Sequence, residues 1–203
     1  DGPIVFENCR FVISGKTMSI NVKDVGYTGE TKTRLGIGDG VIFNNCEFIV
    51  SNGGTVSGSG NDAAIELFGN ADFNSTTITS QGWNGQFLGL YGDASVQFKD
   101  SEVTTTGNVG GWSYAMYGNS VLTLDHTDLY ATGMLRASGG GNINAFYSGD
   151  LRTGYDAVYI QNDSHVDFYD NQAGGFAINN INIHVSDSTI NVNNNAGNAC
   201  NSG

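Results

Sequence analysis

The chain has little positive charge, a single proline and no long hydrophobic run, and each shortage excludes a class of protein. Lys and Arg total 8 against 20 Asp and Glu, so the formal net charge of the 203 residues is −12. Nucleic acids are bound through clustered cations at the phosphates, so no nucleic-acid partner is expected. The same deficit argues against an anionic membrane surface. Because no apolar run approaches the roughly 18 residues of a membrane-spanning helix, membrane insertion is not expected either.

The rest of the composition is that of a folded protein rich in turns. Only 14% of the residues are charged while 39% are hydrophobic, which distinguishes the chain from an acidic disordered tail and provides for a core. Glycine reaches 30 residues, and abundant Gly and Asn favour turns over helices. We expect one domain over residues 1–203. The chain ends at Asn201-Ser202-Gly203 inside what looks like a further repeat, so we expect a piece of a longer protein.

A six-residue pattern recurs along the chain: an apolar residue, two polar residues, a small residue, any residue and a second apolar residue. Examples are FENCRF at residues 6–11 and FKDSEV at residues 98–103. Alternation of apolar and polar residues around the small position indicates two short strands joined by a bend. The copies, of which the one at Phe168 is the weakest, begin at Phe6, Phe43, Phe73, Phe98, Leu124, Phe168 and Val185.

A second pattern precedes several copies and marks the end of a third strand. It occurs as LFGN at residues 67–70, LYGD at 90–93 and MYGN at 116–119. Gly followed by Asn or Asp tolerates the left-handed conformation of a tight turn. Three short strands per repeat, joined by turns that accept insertions, predict an all-β fold. The predicted architecture is a right-handed parallel β-helix, or β-solenoid, of about seven coils with loop insertions.

Stacking of coils about 4.8 Å apart would place equivalent residues above one another and make a continuous core. The first position of the pattern then forms an internal column, predicted to contain Phe6, Phe43, Phe73, Phe98 and Leu124. The small position forms a second column at a tight bend, predicted to contain Cys9, Cys46, Thr76, Ser101, Thr127 and Ser188. The uneven spacing of the copies predicts surface insertions at roughly residues 15–40, 52–62 and 134–156. The alternative, an antiparallel sandwich, would not require the same small residue at the same offset.

Two of the three cysteines occupy equivalent positions of the repeat. Stacking of neighbouring coils would bring the Cα atoms of Cys9 and Cys46 to about 5 Å, a separation that permits a disulfide. Parallel side chains make the disulfide dihedral awkward, however. The alternative is a pair of small buried thiols that replace Ser or Thr in the column. Both interpretations stay open at this point.

The quoted segments resemble the parallel β-helix repeats of the pectate-lyase-like superfamily. They resemble in particular the Asn-, Thr- and Gly-rich β-helical regions of Gram-positive bacterial surface proteins and adhesins, and the resemblance covers most of the chain. It implies an extracellular protein, at the cell surface or secreted, that serves as an adhesin or stalk. Such a segment would bind host or environmental glycans or proteins without catalysis, and flanking coils of the parent protein would cover its ends.

The alternative function is that of a polysaccharide-degrading β-helix enzyme, either a lyase or a glycoside hydrolase. Galacturonan hydrolases of the superfamily share Asn-Thr-Asp, Asp-Asp, Gly-His-Gly and Arg-x-Lys segments, none of which occurs here. A glycosidase needs two carboxyl groups that face each other across a cleft. Acidic pairs of the repeat, such as Asp100 with Glu102, are interpreted instead as solvated faces. No catalytic residue is therefore nominated, and a role without catalysis is favoured.

Aromatic residues outside the predicted core are the candidates for glycan binding. GWNG at residues 82–85 and GWSY at 111–114 have similar phases in consecutive coils, and both tryptophans are predicted to lie in turns. Aromatic rings stacked along one flank of a solenoid would form a flat platform for sugar rings. The alternative is that they pack against a seam between coils. The candidate ligand-binding residues are Trp83, Trp112, Tyr114, Tyr91 and Tyr117.

No cofactor is expected to be required, and calcium is the one cation that the sequence suggests. GSGND at residues 58–62 resembles half of a Gly-x-Gly-x-Asp calcium-roll motif, which makes Asn61 and Asp62 the candidate ligands. Because calcium rolls need tandem copies, a flexible loop is the alternative. His126, His165 and His184 show no zinc-binding spacing and are interpreted as surface histidines.

Overall fold

The structure, a computed structural model, consists of short β-strands. It describes residues 2–14, 17–22, 34–51, 63–81, 86–106, 112–132, 144–148, 156–169, 176–179, 181–193 and 200–202. Strands are the only regular elements in these ranges, which contain no helix long and apolar enough to cross a membrane. Each strand is short because alternation of apolar and polar residues persists for only a few positions before Gly, Asn, Asp or Ser interrupts it.

The strands belong to three sheets. The first sheet has the spatial order β1 (Ile4–Glu7), β5 (Val41–Asn44), β8 (Ala71–Asn74), β11 (Ser95–Lys99), β14 (Val121–Asp125), β17 (Ala157–Gln161) and β20 (Asn182–Val185). The second sheet has the order β2 (Arg10–Ser14), β6 (Glu47–Ser51), β9 (Thr77–Gln81), β12 (Glu102–Thr106), β15 (Asp128–Thr132), β18 (His165–Tyr169) and β21 (Thr189–Asn193). The third sheet has the order β22 (Cys200–Ser202), β19 (Phe176–Asn179), β16 (Asn144–Ser148), β13 (Trp112–Tyr117), β10 (Gln86–Tyr91), β7 (Ala63–Leu67), β4 (Arg34–Ile37) and β3 (Thr17–Ile20).

The path of the chain through the sheets is cyclic. From β4 onward it visits the third, first and second sheets in that order and then repeats the cycle. We call one such passage a coil, and we count the earlier passage through β1 and β2 as the first coil. Every strand pair of the described residues is parallel, as between β5 and β8, where Phe43 lies opposite Phe73. The all-β prediction with stacked parallel strands is thereby confirmed, since an antiparallel sandwich would pair its strands in the opposite sense.

The predicted insertions contain more regular structure than expected. The segment 15–40 includes two strands, β3 and β4, which pair with each other in the third sheet. The segment 134–156 includes β16, which pairs with β13 and β19. The prediction of plain surface loops over these two segments is therefore wrong in part. Their strands lack the six-residue pattern because they belong to the third sheet, which that pattern does not describe.

The core is a set of columns in which equivalent residues of successive coils contact one another. The ring of Phe43 stacks on Phe6 with centroids 5.3 Å apart and on Phe73 at 5.0 Å, and Phe73 stacks on Phe98 at 4.6 Å. Leu124 lies opposite Phe98 and continues the column. Buried aromatic rings contribute large apolar areas, and stacked rings add a further attraction.

Beyond Leu124 the column continues through Ile160, which the sequence pattern missed, and through Val185, where the last copy of the pattern begins. Ile160 lies opposite Leu124, and Val185 lies opposite Ile160. The weak copy predicted to begin at Phe168 is wrong, because Phe168 lies in the second sheet opposite Ala131. The true copy begins at Ile160 and is one residue longer, since both Asn162 and Asp163 adopt positive φ in its bend. That extra residue shifted the pattern out of phase.

Candidate functional site

The bend between the first and second sheets places one line of exposed side chains along the stack. The residue just before the small residue of each bend has a positive φ, a conformation that Asn and Asp tolerate better than most residues. Because the same conformation recurs, the side chains project from equivalent points. The residues are Asn8 (φ 55°), Asn45 (52°), Ser75 (49°), Asp100 (51°), His126 (48°), Asp163 (61°) and Asp187 (47°).

The small residue that follows in each bend ties one coil to the next. The backbone N–H of Thr76 donates to Ser101 Oγ at 3.0 Å, and that of Ser101 donates to Thr127 Oγ1 at 3.3 Å. The N–H of Thr127 donates to Ser164 Oγ at 3.0 Å, and that of Ser164 to Ser188 Oγ at 3.1 Å. Each hydroxyl therefore satisfies a buried backbone donor at a point where the bend interrupts the strand ladder. The column holds the exposed line above it at a regular spacing.

An open groove runs across this bend over several successive coils. Its cavity volume is about 540 Å³. The lining side chains are carboxylates, imidazoles and hydroxyls, from Ser75, Thr76, Thr77, Asp100, Ser101, Glu102, His126, Asp128, Asp163 and His165. We call this feature the bend groove. It offers hydrogen-bond donors and acceptors from every coil that it crosses.

Two histidines of the bend groove are each held by a carboxylate of the preceding coil. His126 Nδ1 lies 2.7 Å from Asp100 Oδ1, and His165 Nδ1 lies 3.1 Å from Asp128 Oδ1. Asp163 Oδ1 lies 4.0 Å from the other ring nitrogen of His165. The hydrogen bond to Asp100 raises the pKa of His126 above its ordinary value, with smaller contributions from the charges of nearby aspartates. These carboxylates therefore favour the protonated imidazole of His126.

Acids and imidazoles lie along two adjacent lines of the bend groove. One line is that of the positive-φ residues, and the other is the first position of the second-sheet strands, where Glu102, Asp128 and His165 lie opposite one another. With neutral imidazoles the groove carries four carboxylates and is acidic. Protonation of His126, which its raised pKa favours, offsets part of that charge. The negative potential extends to Tyr130, where burial raises the phenol pKa and nearby carboxylates, Asp128 foremost, raise it further.

Sequence reasoning missed this arrangement, although a usable signal was present. Correct alignment of the repeats places Asp100 and His126 at the same position of successive bends. Asp163 takes that position in the bend of the next coil. Because a copy was assigned at Phe168 and not at Ile160, neither Asp163 nor His165 was assigned to a position of the repeat. His184 lies elsewhere, where its ring stacks on Tyr159 of the first sheet with centroids 4.7 Å apart.

The candidate aromatic residues are only partly described by the structure. Trp83 lies outside the described residues. Trp112 was predicted in a turn, which is wrong, because it is the first residue of β13. Tyr114 and Tyr117 lie in the same strand, where Tyr117 is the register partner of Tyr91. For these three β13 residues the structure describes the backbone alone.

Tyr91 is the candidate whose surroundings are clear. Its half-buried ring stacks on that of Phe68 from the preceding coil, with centroids 5.1 Å apart and planes 20° apart. The absence of a side chain at Gly89 makes room for the ring, since a Cβ there would lie 2.9 Å from two atoms of Tyr91. Phe68 and Tyr91 thus form a small aromatic surface at the bend from the third sheet to the first, away from the bend groove.

Cys9 and Cys46 line a second, smaller cavity on the same row of bends, at the end of the stack where β1 and β2 lie. Its volume is about 370 Å³, and the ion pair between Arg10 Nε and Glu47 Oε2 at 2.6 Å lies along it. Both cysteines are free thiols. Burial raises the pKa of the Cys46 thiol, and this effect outweighs the backbone hydrogen bonds at Cys9 and Asn44, which lower the pKa.

The described residues give no support for a metal-binding site. No group of three or more His, Cys, Asp or Glu side chains is placed among them to hold a metal ion. The predicted calcium ligands Asn61 and Asp62 lie outside the described residues. Calcium binding at that segment stays a prediction.

Comparison of the chain with protein-family models, with curated proteins and with solved structures finds no match. The proposals that follow therefore depend on the geometry of the chain and on the repeat pattern.

Proposed function

We propose that the chain is a right-handed parallel β-helix of about seven coils that belongs to an extracellular bacterial surface protein. Its role is that of an adhesin or stalk that binds host or environmental glycans, or surface proteins, without catalysis. The repeat resemblance to the pectate-lyase-like superfamily supports the finer description of the fold. The three parallel sheets support an all-β stack of parallel strands. Such a stack forms a rigid scaffold on which exposed groups keep a fixed spacing.

The bend groove is the observation that carries the binding proposal. It is open and polar, and it presents hydroxyls, carboxylates and imidazoles from consecutive coils. Sugars are recognised by such groups because each sugar ring carries several hydroxyls that both donate and accept hydrogen bonds. A linear glycan that lies along the groove would meet a new set of partners at each coil. The affinity would then be the sum of several modest contacts.

The surface formed by Phe68 and Tyr91 provides a second contact of the kind that glycans use. Two stacked, half-buried rings expose apolar area next to a hydroxyl, which suits the apolar face of a sugar ring. Tyr117 follows in register one coil later, so the proposal extends this surface to a third aromatic residue. Trp83, Trp112 and Tyr114 remain candidate ligand-binding residues of the same flank.

The ends of the stack favour flanking coils as partners. Ile4, Val5 and Val12 are exposed in the strands at one end of the first and second sheets, and Val185 is exposed in β20 at the other end. Further coils of a parent protein would cover these residues and extend the backbone ladder. The proposal requires no cofactor; calcium would bind at Asn61 and Asp62.

A glycan array tests the binding proposal directly. We expect binding to a subset of oligosaccharides, and we expect Asp100→Asn together with Glu102→Gln to weaken it because both side chains line the bend groove. The matched control is Asp187→Asn, which changes an exposed carboxylate of the same line outside the lining of the groove. If the groove variant binds every glycan as the parent does, the groove is not the site.

The second candidate function is polysaccharide degradation, and the paired side chains of the bend groove are the observation that favours it. An imidazole held by a carboxylate, as in His126 with Asp100, is a common arrangement for general acid–base catalysis. Release of reducing ends or unsaturated products from a polysaccharide panel, measured with and without calcium, decides between the two. Release that is lost in His126→Gln would establish the enzyme and overturn the adhesin.

A further inference from the structure

Cys9 and Cys46 are neighbours in the column of small residues, at the end of the stack where the first coil meets the second. The N–H of Glu47 donates to the carbonyl of Cys9 at 2.9 Å, so the backbones of the two bends are joined directly. Cys9 Sγ donates to the carbonyl of Glu7 at 3.3 Å, and Cys46 Sγ lies 3.6 Å from the carbonyl of Phe6 in the coil before it. Both thiols therefore occupy the same narrow space between the two coils.

The first coil lies at one end of the described stack. Its strands β1 and β2 are terminal in their sheets, so each has a neighbour on one side only. Val5 is 47% exposed and Val12 is 60% exposed, whereas the equivalent column positions of later coils are better covered. Terminal strands with exposed apolar residues open more readily than central ones.

We propose that Cys9 and Cys46 are a redox site whose two thiols form a reversible disulfide that locks the first coil to the second. Stacked strands lie within the range of Cα separations that a disulfide spans. The bond would close a loop from residue 9 to residue 46 and so restrict the unfolded chain. The third cysteine is excluded as a partner, because Cys200 lies in β22, at the opposite end of the third sheet from β3.

The oxidant is a small-molecule disulfide such as oxidised glutathione. The thiolate of Cys9, the more exposed of the two, attacks one sulfur of the oxidant and releases one glutathione thiolate. The thiolate of Cys46 then attacks Cys9 Sγ and releases the second. Two electrons pass from the cysteine pair to the oxidant, and the two protons lost from the cysteines end on the two glutathione thiols. A dithiol reductant reverses both steps.

The test compares the chain before and after incubation with oxidised glutathione. We expect a mass loss of two hydrogens, a proteolytic peptide pair linked through Cys9 and Cys46, and reversal by dithiothreitol. Amide hydrogen exchange in β1 and β2 is expected to slow by about tenfold or more on oxidation, while exchange in β15 stays the same. A glutathione adduct on Cys9 that never resolves, or a link that includes Cys200, would overturn the proposal.

The matched control is Cys46→Ser. Ser and Thr already occupy this position in later coils, as at Thr76 and Ser101, so the variant is expected to fold. It should form no link and show no oxidant-dependent slowing of exchange in β1. Cys200→Ser should behave as the parent chain does. A Cys9–Cys46 link that leaves exchange in β1 and β2 unchanged would contradict the locking role.

Discussion

Asp100 and His126 occupy equivalent positions in successive coils, and their side chains meet at 2.7 Å between Oδ1 and Nδ1. Each residue has a positive φ, so the contact follows from the repetition of one backbone conformation. The positive-φ bend thus turns a sequence repeat into a row of side chains whose spacing is that of the coils. The same principle places His165 against Asp128 in the adjacent line.

The pKa of His126 depends on Asp100. We expect Asp100→Asn to lower that pKa toward the ordinary value, because the hydrogen bond to the carboxylate is the main cause of its rise. Titration of the imidazole proton resonances by NMR measures the change. Asp187→Asn is the control and should leave the pKa of His126 where it is. An identical titration of His126 in the Asp100→Asn variant would contradict the assignment.

The same pair makes a small pH-dependent contribution to stability. Because the pKa of His126 is higher in the folded than in the unfolded chain, the contribution is fully present below the unfolded-state pKa. It is lost as the pH rises through the folded-state pKa. Both side chains are exposed, so the change is small. Chemical denaturation of the parent and of His126→Gln at several pH values should show a difference at low pH that vanishes above the folded-state pKa.

Ser101 is expected to be more important to stability than its size suggests. Its hydroxyl accepts from the N–H of Thr76, and its single proton is within hydrogen-bond reach of two carbonyls, those of Lys99 at 2.8 Å and Phe73 at 3.0 Å. Ser101→Ala would leave that buried N–H without a partner and lower the free energy of unfolding by about 1–3 kcal/mol. Ser101→Thr is the control, since Thr serves the same position in neighbouring coils. Urea denaturation measures both, and equal effects of the two substitutions would argue against the hydroxyl column.

Thr105 is a position where a substitution should stabilise the chain. Ser80 Oγ and Thr105 Oγ1 are buried without a hydrogen-bond partner among the described residues, and the two lie opposite each other in the second sheet. Thr105→Val keeps the shape of the side chain and removes the unpaired hydroxyl, so we expect a gain on the order of 1 kcal/mol in urea denaturation. Thr104→Val, on the outer face of the same strand, is the control and should give no gain. A loss of stability in Thr105→Val would show that the hydroxyl has a partner after all.

Phe73 should be a highly sensitive position of the stacked column. Its fully buried ring stacks on both Phe43 and Phe98. Phe73→Ala is expected to cost about 3–5 kcal/mol of unfolding free energy, because it leaves a cavity between two coils. Phe73→Leu, which copies the residue at position 124, should cost much less. Thermal and urea denaturation of the pair provide the comparison, and a loss in Phe73→Ala no larger than in Phe73→Leu would contradict the stack.

The six-residue pattern was sufficient to predict strands on either side of a bend and the rings that stack between Phe6 and Phe98. Both properties are local and repeated, so they survive in the sequence wherever the spacing is regular. The pattern failed at Phe168 because one additional residue, Asn162 or Asp163, enters that bend and moves the following strand out of phase. It also failed to detect β3, β4 and β16, since none of these third-sheet strands ends in the complete four-residue signature found at residues 67–70, 90–93 and 116–119.

The sequence by itself determined the fold class, through alternation with a recurring small residue and a supply of Gly, Asn and Asp for left-handed bends. It determined the strong negative charge as well, from which the prediction of no nucleic-acid partner follows. Only the tertiary structure decided which residues meet. The side chains that meet come from three successive repeats, with Asp100 in the first, His126 and Asp128 in the second and His165 in the third. Their contact depends on the register between coils, which insertions of variable length conceal in the linear chain.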